Sequence, residues 1–305
     1  VYGLGECGPV PGLSVDHQPL PVLRPLAEEL SDDITEKVAA SGVDGAHYPA
    51  LAFAVECALL DLQSGGKRQL FSTAFSHGQS GLPTHGLIWM DDVAGVLAQI
   101  DNKVAQGFGV IKMKVGALPF DEELALLSEV RQRHPTVELR LDANGAFTVA
   151  EALHKLERLA PLNIAFLEQP IRAGQWAEMA EICRQSPIAI GLDEELIAPQ
   201  SPRALMEAIR PQHLILKPTL LGGLSACEKW MGLCDEIGAV WWINSLLESN
   251  IGLNAICQWT SSLGDHRIHG LGTGQLFTTN VESPLRLVGT QLWVDPSKSW
   301  ATDDL

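Results

Sequence analysis

Three carboxylates and two lysines recur along the middle of the chain at nearly equal intervals. Asp142, Glu168 and Asp193 each follow a short apolar run of strand length, and they are spaced 26 and 25 residues apart. Lys114 lies 28 residues before the first acid, and Lys217 lies 24 residues after the last. Each interval accommodates one strand, one loop and one helix, so the pattern predicts successive βα units that deliver one charged group each.

A barrel of parallel strands would bring these groups together, because the carboxyl ends of its strands lie on one face. If Lys114 ends the second strand, the acids end strands three to five and Lys217 ends strand six. The two lysines would then face each other across the mouth of the barrel, with three carboxylates between them. Clustered carboxylates repel one another unless a cation joins them, and their hard oxygen atoms suit Mg²⁺. The sequence therefore predicts a metal between two amines.

Five motifs follow one another in this region: Lys112-x-Lys114, Asp142-x-Asn144-Gly145, Glu168-Gln169-Pro170, Asp193-Glu194 and Lys217-Pro218. In this order they resemble the enolase superfamily, in its muconate-lactonising-enzyme subgroup. Two later stretches, Trp242–Gly252 and Gly270–Gly274, are similar to those of the o-succinylbenzoate synthases in that subgroup. The resemblance covers nearly the whole chain. It implies an α/β fold, a modified TIM barrel of (β/α)7β type with an α+β capping domain.

The resemblance also implies a chemistry, that of a Mg²⁺-dependent carbon–oxygen lyase, or dehydratase. Its substrate would be a small carboxylate, 2-succinyl-6-hydroxy-2,4-cyclohexadiene-1-carboxylate, converted to 2-succinylbenzoate in menaquinone biosynthesis. Lys114 would remove the proton beside the carboxylate, and Lys217 would stabilise the resulting anion from the opposite face. The metal ligands would be Asp142, Glu168 and Asp193, with Mn²⁺ as a substitute for Mg²⁺.

Four further residues are candidates for holding the substrate: Lys112, Asn144, Asn244 and Gly270. Residues two apart in a strand share a face, so Lys112 places a second ammonium group beside Lys114. That neighbouring charge favours the neutral, proton-accepting form of Lys114. Asp193 is followed by two glutamates, which leaves a ligand one position later as an alternative, although the family pattern favours Asp193.

Two other functions remain open. In an N-acylamino acid racemase or a dipeptide epimerase, Lys114 and Lys217 would both exchange protons, one on each face of the substrate. A dipeptide epimerase is expected to carry an Asp-x-Asp motif on strand eight, where this chain has Gly270–Gly274; racemisation of N-acylated amino acids is not excluded in this way. The third hypothesis is a non-catalytic barrel that serves as a binding protein. Loss of one of the three metal-binding acids would favour it, but Asp142, Glu168 and Asp193 are all present.

The chain divides where its pattern changes. Residues 19–40 and 49–63 predict two helices, whereas strands and helices alternate from Pro83 onwards. We therefore expect a capping domain over residues 1–82, a barrel over 83–275, and a return to the capping domain over 276–305. Val1–Glu6 resembles the end of a strand, so we expect it to pair with a strand near residues 285–294 and expect earlier capping strands to be missing from this chain.

Composition restricts the partners. The chain has 305 residues and a formal net charge of −16, which argues against nucleic acid or an anionic membrane surface as partner. No apolar run approaches the roughly 20 residues of a membrane span. Six scattered cysteines lack a Cys-x-x-Cys spacing and predict free thiols in a reducing cytoplasm. The oligomeric state is not predicted.

Overall fold

The structure is a computed structural model that describes residues 1–32 and 44–302. Helices α1 (Leu20–Asp32) and α2 (Pro49–Gln63) come first. The next elements are β1 (Leu82–Pro83), β2 (Gly86–Ile88), α3 (Val93–Ala105), β3 (Val110–Lys114), α4 (Phe120–Arg133), β4 (Glu138–Asp142), α5 (Val149–Leu159), β5 (Ile164–Glu168) and α6 (Trp176–Gln185). The chain continues with β6 (Ile190–Leu192), α7 (Pro202–Ile209), β7 (His213–Leu216), α8 (Pro218–Leu221), α9 (Leu224–Ile237), β8 (Val240–Ile243), α10 (Asn250–Ser262), β9 (Leu285–Val288) and β10 (Gln291–Val294).

Strands β2 to β8 form one parallel sheet in chain order, and a short eighth segment closes it. Gly270 forms a parallel bridge with Asn244 after β8, and its neighbour His269 forms one with Thr84 before β2. The predicted eighth strand around residues 268–271 is thus reduced to two bridging residues. Seven strand–helix units followed by this segment give the (β/α)7β barrel that the sequence predicts.

Alternation along the strands separates apolar packing from charge. In β4, Leu139 and Leu141 are fully buried in the apolar core, whereas Arg140 and Asp142 share the other face. Arg140 reaches across the barrel, because its Nη1 donates a hydrogen bond to the Ile268 carbonyl at 2.7 Å. The charged face of the strand therefore points into the barrel, and Asp142 lies at its carboxyl end.

Local signals define where the helices begin and end. Helix α5 begins after Thr148, which forms a capping box with Glu151. It ends at Leu159, and one 3-10 turn (Ala160–Leu162) leads to Asn163, which adopts the left-handed conformation with φ 52° before β5. Helix α7 begins with Pro202, directly after the N-cap Ser201. Each helix thus returns the chain to the other edge of the sheet, where the next strand starts beside the start of its predecessor, as Glu138 does beside Val110. This return sustains the regular interval between the charged residues.

The smaller sheet is antiparallel and has the order β1-β10-β9. The prediction that Val1–Glu6 pairs with a C-terminal strand is wrong, because Leu82–Pro83 takes that place beside β10. Residues 1–6 instead lie along α2, so closely that a methyl group on Gly3 would overlap the Ala58 carbonyl. On the basis of the two sheets, we propose the division into residues 1–82, 83–275 and 276–305.

Other expectations have mixed outcomes. Helix α1 begins at Leu20 and is described as far as Asp32; residues 33–40 of the predicted helix lie outside the described residues. All six cysteines are free thiols, as predicted, and five of them are buried. Within the described ranges, no helix combines the length and the apolar character needed to cross a membrane.

Histidines inside the barrel should make its stability depend on pH. His213 accepts a hydrogen bond from Trp242 Nε1 at 3.1 Å, and its ring lies 4.9 Å from that of Phe166. Burial, reinforced by the charges of Arg140 and Arg267, lowers the pKa of His213 to about 4. In the unfolded chain this histidine binds a proton below about pH 6.5, whereas in the folded chain it stays neutral down to about pH 4. The unfolded state is therefore stabilised relative to the folded state as the pH falls from about 6.5 towards 4.

We predict that His213→Gln makes folding less sensitive to acid, because glutamine can accept the Trp242 hydrogen bond and does not titrate. The free energy of unfolding of the variant, relative to the wild type, should rise by about 2 kcal/mol between pH 7 and pH 5. Urea denaturation at both pH values measures this difference, and other titrating groups cancel in it. A difference that stays constant with pH would contradict the prediction.

Candidate active site

A cavity of about 170 Å³ opens at the carboxyl ends of the barrel strands. Most of the residues singled out from the sequence line it: Lys112, Lys114, Asp142, Asn144, Lys217, Asn244 and Gly270. The remaining two, Glu168 and Asp193, are 0% and 3% exposed and reach the cavity through contacts with its lysines. The barrel thus brings together all nine predicted site residues.

The register of the sheet places the three acids side by side. Asp142 pairs with Glu168 across β4 and β5, and Glu168 pairs with Gly191, two residues before Asp193. The chain turns immediately after β4, because Asn144 adopts the left-handed conformation with φ 43°. Its backbone N–H donates to Asp142 Oδ1 at 3.0 Å, so the same turn orients the carboxylate.

Lysine ammonium groups lie against these carboxylates. Lys112 Nζ is 3.1 Å from Asp142 Oδ2 and 2.6 Å from Glu168 Oε2, and Lys217 Nζ forms an ion pair with Asp193. In this arrangement, no three acidic, histidine or cysteine side chains within residues 1–32 and 44–302 converge to hold a metal ion. Lys112 is shared by two of the carboxylates, so the lysines balance only part of the negative charge.

The carboxylates nevertheless fit a divalent cation. Burial raises the pKa of Glu168 well above its usual range, and the charge of Asp142 raises it further. Burial also opposes ionisation of Asp142, but the charges of Lys112, Lys114 and Lys217 outweigh it and hold the pKa of Asp142 below its usual range. A cation beside Glu168 would relieve this repulsion, and carboxylate oxygens are the donors that Mg²⁺ prefers.

An amide joins the candidate base to a further acid. Lys114 Nζ donates a hydrogen bond to Asn144 Oδ1, and Asn144 Nδ2 donates to Glu194 Oε1 at 2.7 Å. Glu194 lines the cavity, and burial together with the charge of Asp193 raises its pKa. Sequence reasoning considered Glu194 only as an alternative metal ligand. The structure instead makes it the partner that fixes which end of the Asn144 amide faces Lys114.

The wall on the other side depends on a glycine. A Cβ atom on Gly270 would overlap Asn244 Oδ1 and would lie 2.6 Å from His85 Cε1. Gly270 therefore leaves room for two polar side chains of the cavity wall. His85 is 5% exposed, and burial, followed by the charges of Arg140 and Lys112, lowers its pKa well below the usual value. His85 belongs to no motif, so the sequence offered no signal for it.

Apolar side chains complete the cavity, and most were not singled out from the sequence. They come from the loop after residue 6, from β2 and the residue that follows it, and from the loop after β8: Val10, Leu13, Leu87, Trp89, Leu246 and Leu247. Val10 and Leu13 place the loop of residues 8–13 at the barrel mouth. The others lack a spacing that distinguishes them from core residues.

Known proteins match this chain along most of its length. Residues 95–297 match the family described as enolase C-terminal domain-like. The chain is 42% identical to the o-succinylbenzoate synthase of Desulfotalea psychrophila, over 96% of this chain and 88% of the relative. It is 27% identical to the o-succinylbenzoate synthase of Vibrio cholerae, over 92% of this chain and 80% of the relative. The chain belongs to the enolase C-terminal domain-like family, which confirms the resemblance to the enolase superfamily.

Solved structures share the fold. The crystal structure of MenC from Desulfotalea psychrophila has a TM-score of 0.84 at 42% identity and covers 96% of this chain and 90% of that one. The L-Ala-D/L-Glu epimerase from Bacillus subtilis has a TM-score of 0.78 at 20% identity, covering 96% of this chain and 84% of that one. The epimerase is similar in fold alone at this identity. The modified TIM barrel predicted from the sequence is confirmed.

We predict that Gly270→Ala weakens ligand binding, because the new methyl group displaces Asn244 or His85 from the cavity wall. The dissociation constant for 2-succinylbenzoate, measured by calorimetry, should rise about tenfold, as expected for overpacking that costs 1–3 kcal/mol. Gly232→Ala is the matched control, since a Cβ there meets no atom within 4 Å. Equal affinity in both variants would show that the Gly270 wall does not contact the ligand.

Proposed function

We propose that the chain is an o-succinylbenzoate synthase, a metal-dependent carbon–oxygen lyase of menaquinone biosynthesis. It would remove water from 2-succinyl-6-hydroxy-2,4-cyclohexadiene-1-carboxylate to form 2-succinylbenzoate. The observation that carries this proposal is the 42% identity, over 96% of the chain, to a relative of that name. The geometry of the cavity supports the proposal. Lys114 at the end of β3 and Lys217 directly after β7 line the cavity from opposite sides of the barrel.

A divalent cation is part of the proposal, with Asp142, Glu168 and Asp193 as its ligands. Mg²⁺ suits their hard oxygen atoms, and Mn²⁺ should substitute. When bound, the cation supplies positive charge beside the ring carboxylate of the substrate. Support comes from the raised pKa of Glu168, which reports burial and repulsion among acids that a cation would relieve.

Lys114 is the proposed base. Its Nζ would take the proton from the ring carbon that bears the carboxylate, while Asn144 Oδ1 holds that nitrogen in place. The released electron pair forms a new ring double bond as the bond to the 6-hydroxyl breaks. The hydroxide leaves and becomes water when it takes up a proton, and the ring becomes aromatic.

Lys217 would contribute charge from the other side. Burial alone would lower the pKa of Lys217, but the charges of Asp193, Glu168 and Asp142 outweigh burial and raise it. Its ammonium group therefore remains protonated and can stabilise the negative charge that develops on the substrate. A group that keeps its proton suits elimination, whereas racemisation needs a second group that exchanges its proton.

The remaining candidates would hold the substrate. Lys112 and Asn144 lie on the side of the acids, and Asn244 and Gly270 form part of the facing wall. We propose a small-molecule carboxylate as the ligand and a cytoplasmic location. The free thiols support that location, because they persist in reducing compartments.

We predict that the purified protein converts the cyclohexadiene carboxylate to 2-succinylbenzoate with Mg²⁺, followed by the absorbance of the aromatic product. Lys114→Ala should lower kcat about 10²- to 10⁴-fold, because it removes a positioned base. The exposed Lys298→Ala is the matched control and should retain wild-type kcat. Chelation should abolish turnover, and added Mg²⁺ should restore it.

One outcome would overturn the proposal: the wild type does not turn over the cyclohexadiene substrate, yet it exchanges the α-hydrogen of both enantiomers of N-succinylated amino acids in D₂O. NMR follows that exchange directly. This result would make the chain an N-acylamino acid racemase.

We also predict that the charge of Lys217 matters more than its proton. Lys217→Gln should lower kcat of the synthase reaction about 10²- to 10³-fold, the range seen when one stabilising donor is removed. Lys217→Arg keeps the positive charge and should lose less, although its wider head group fits the same space imperfectly. Steady-state kinetics at saturating substrate measure both. Wild-type kcat in Lys217→Gln would contradict an electrostatic role.

A further inference from the structure

A buried carboxylate outside the proposed catalytic set connects two parts of the cavity. Glu248 is 2% exposed and lies in the loop between β8 and α10. Its Oε1 accepts a hydrogen bond from the Thr219 hydroxyl, and its Oε2 accepts one from the Leu246 backbone N–H at 2.8 Å. A single side chain thus receives two donors from different parts of the chain.

Each donor belongs to an element of the site. Thr219 is 1% exposed and lies in the first turn of α8, which begins directly after Lys217. Leu246 belongs to the loop after β8 and lines the cavity together with Asn244 and Leu247. Strands β7 and β8 are hydrogen-bonded neighbours as far as Leu216 and Ile243, so Glu248 joins α8 to the loop after β8 just beyond that point.

The surroundings hold Glu248 closely. A Cβ atom on Gly252 would lie 2.9 Å from Glu248 Cβ and Cγ, so the first turn of α10 packs directly on the stem of the glutamate. That turn is fixed by Glu6, which accepts hydrogen bonds from Ser249 N at 2.7 Å and Gly252 N at 2.8 Å. The carboxylate therefore occupies a site of defined shape with both oxygens engaged.

We propose that Glu248 is a positioning residue that holds Lys217 and the Leu246 wall of the cavity at one fixed spacing. It acts through Thr219 and through the Leu246 backbone and does not contact the substrate. The inference rests on the proposed function, in which Lys217 must lie close to the developing negative charge. A misplacement of about 1 Å in such a group can lower the rate about 10²-fold.

The link should also depend on pH. Burial raises the pKa of Glu248 to about 7, and the charge of Glu6 on the N-terminal segment adds to this effect. Two thiols lie within its electrostatic reach, Cys57 on α2 and Cys257 on α10; burial and the charge of Glu248 raise the pKa of both, which keeps them neutral. Protonated Glu248 can keep both contacts only as neutral hydrogen bonds, which are weaker than those of the carboxylate, so the link weakens as the pH falls below about 7.

Glu248→Gln tests the proposal, because glutamine keeps the size but is neutral at every pH, so the hydrogen bonds to Thr219 and Leu246 lose the negative charge that strengthens them. We expect kcat to fall about 10- to 100-fold at pH 8 with a smaller change in KM. The decline of wild-type kcat below about pH 7 should be absent in the variant. Thr219→Val removes the other end of the link, and the double variant should lose no more than either single variant.

Glu56→Gln is the matched control. Glu56 accepts hydrogen bonds from Leu224 N and Ser225 N at the start of α9, and it does not line the cavity. This variant should lose stability while retaining wild-type kcat. Crystal structures of the wild type and Glu248→Gln under one condition should show Lys217 displaced relative to Leu246 by about 0.5 Å or more.

The inference is overturned if Glu248→Gln keeps kcat within twofold of the wild type at pH 8 and its pH profile, with Lys217 unmoved. Strictly additive losses for Glu248→Gln and Thr219→Val would overturn it as well. Failure of the proposed function is a separate result: the wild type itself would not turn over the cyclohexadiene substrate. In that case the position of Lys217 in the two crystal structures still decides the role of Glu248.

Discussion

Pairing of opposite charges inside the barrel is the constraint on which the site depends. Lys112, Asp142 and Glu168 are each less than a tenth exposed, and the removal of each ion from water costs several kcal/mol. These costs are offset only because Lys112 contacts both carboxylates, as Lys217 contacts Asp193. The loss of one partner would leave an uncompensated buried charge, which typically destabilises by about 3–5 kcal/mol. The lysines and carboxylates proposed for catalysis therefore also stabilise one another against the cost of burial.

The charged layer continues below the cavity. The guanidinium of Arg140 lies 4.0 Å from the centre of the Trp242 ring, and its Nε donates to Glu138 at 2.8 Å. Its charge helps to lower the pKa of His85 and His269 after burial has done most of the work. Aliphatic side chains therefore pack between the strands and the helices, whereas charged and aromatic groups fill the barrel. Because the interior below the cavity is polar and not purely apolar, the ionised groups at the barrel mouth are less strongly desolvated from beneath.

Sequence reasoning succeeded where chemistry repeats at the interval of a βα unit. The strand ends at Lys114, Asp142 and Glu168 could be predicted because each βα unit delivers its last residue to the same rim. It failed where placement depends on distant parts of the chain. Close approach between Gly3 and the Ala58 carbonyl, which sends residues 1–6 along α2, leaves no periodic signal. His85 also has no sequence signal, and only the structure places it beside Gly270 in the cavity wall.

Helix capping connects the N-terminal segment to the barrel and so places Val10 and Leu13 of that segment in the cavity wall. Glu6 caps α10, and Asp16 accepts the Ala50 N–H at 2.8 Å at the start of α2. Anions at helix N-termini are stabilised by the backbone N–H groups and the helix dipole. The loop that carries Val10 and Leu13 is thus anchored at both ends by carboxylates that take no part in the proposed chemistry. Substitutions at those two apolar positions can alter the cavity without disturbing either anchor or the lysine–carboxylate pairs, which separates the choice of substrate from the groups proposed to transform it.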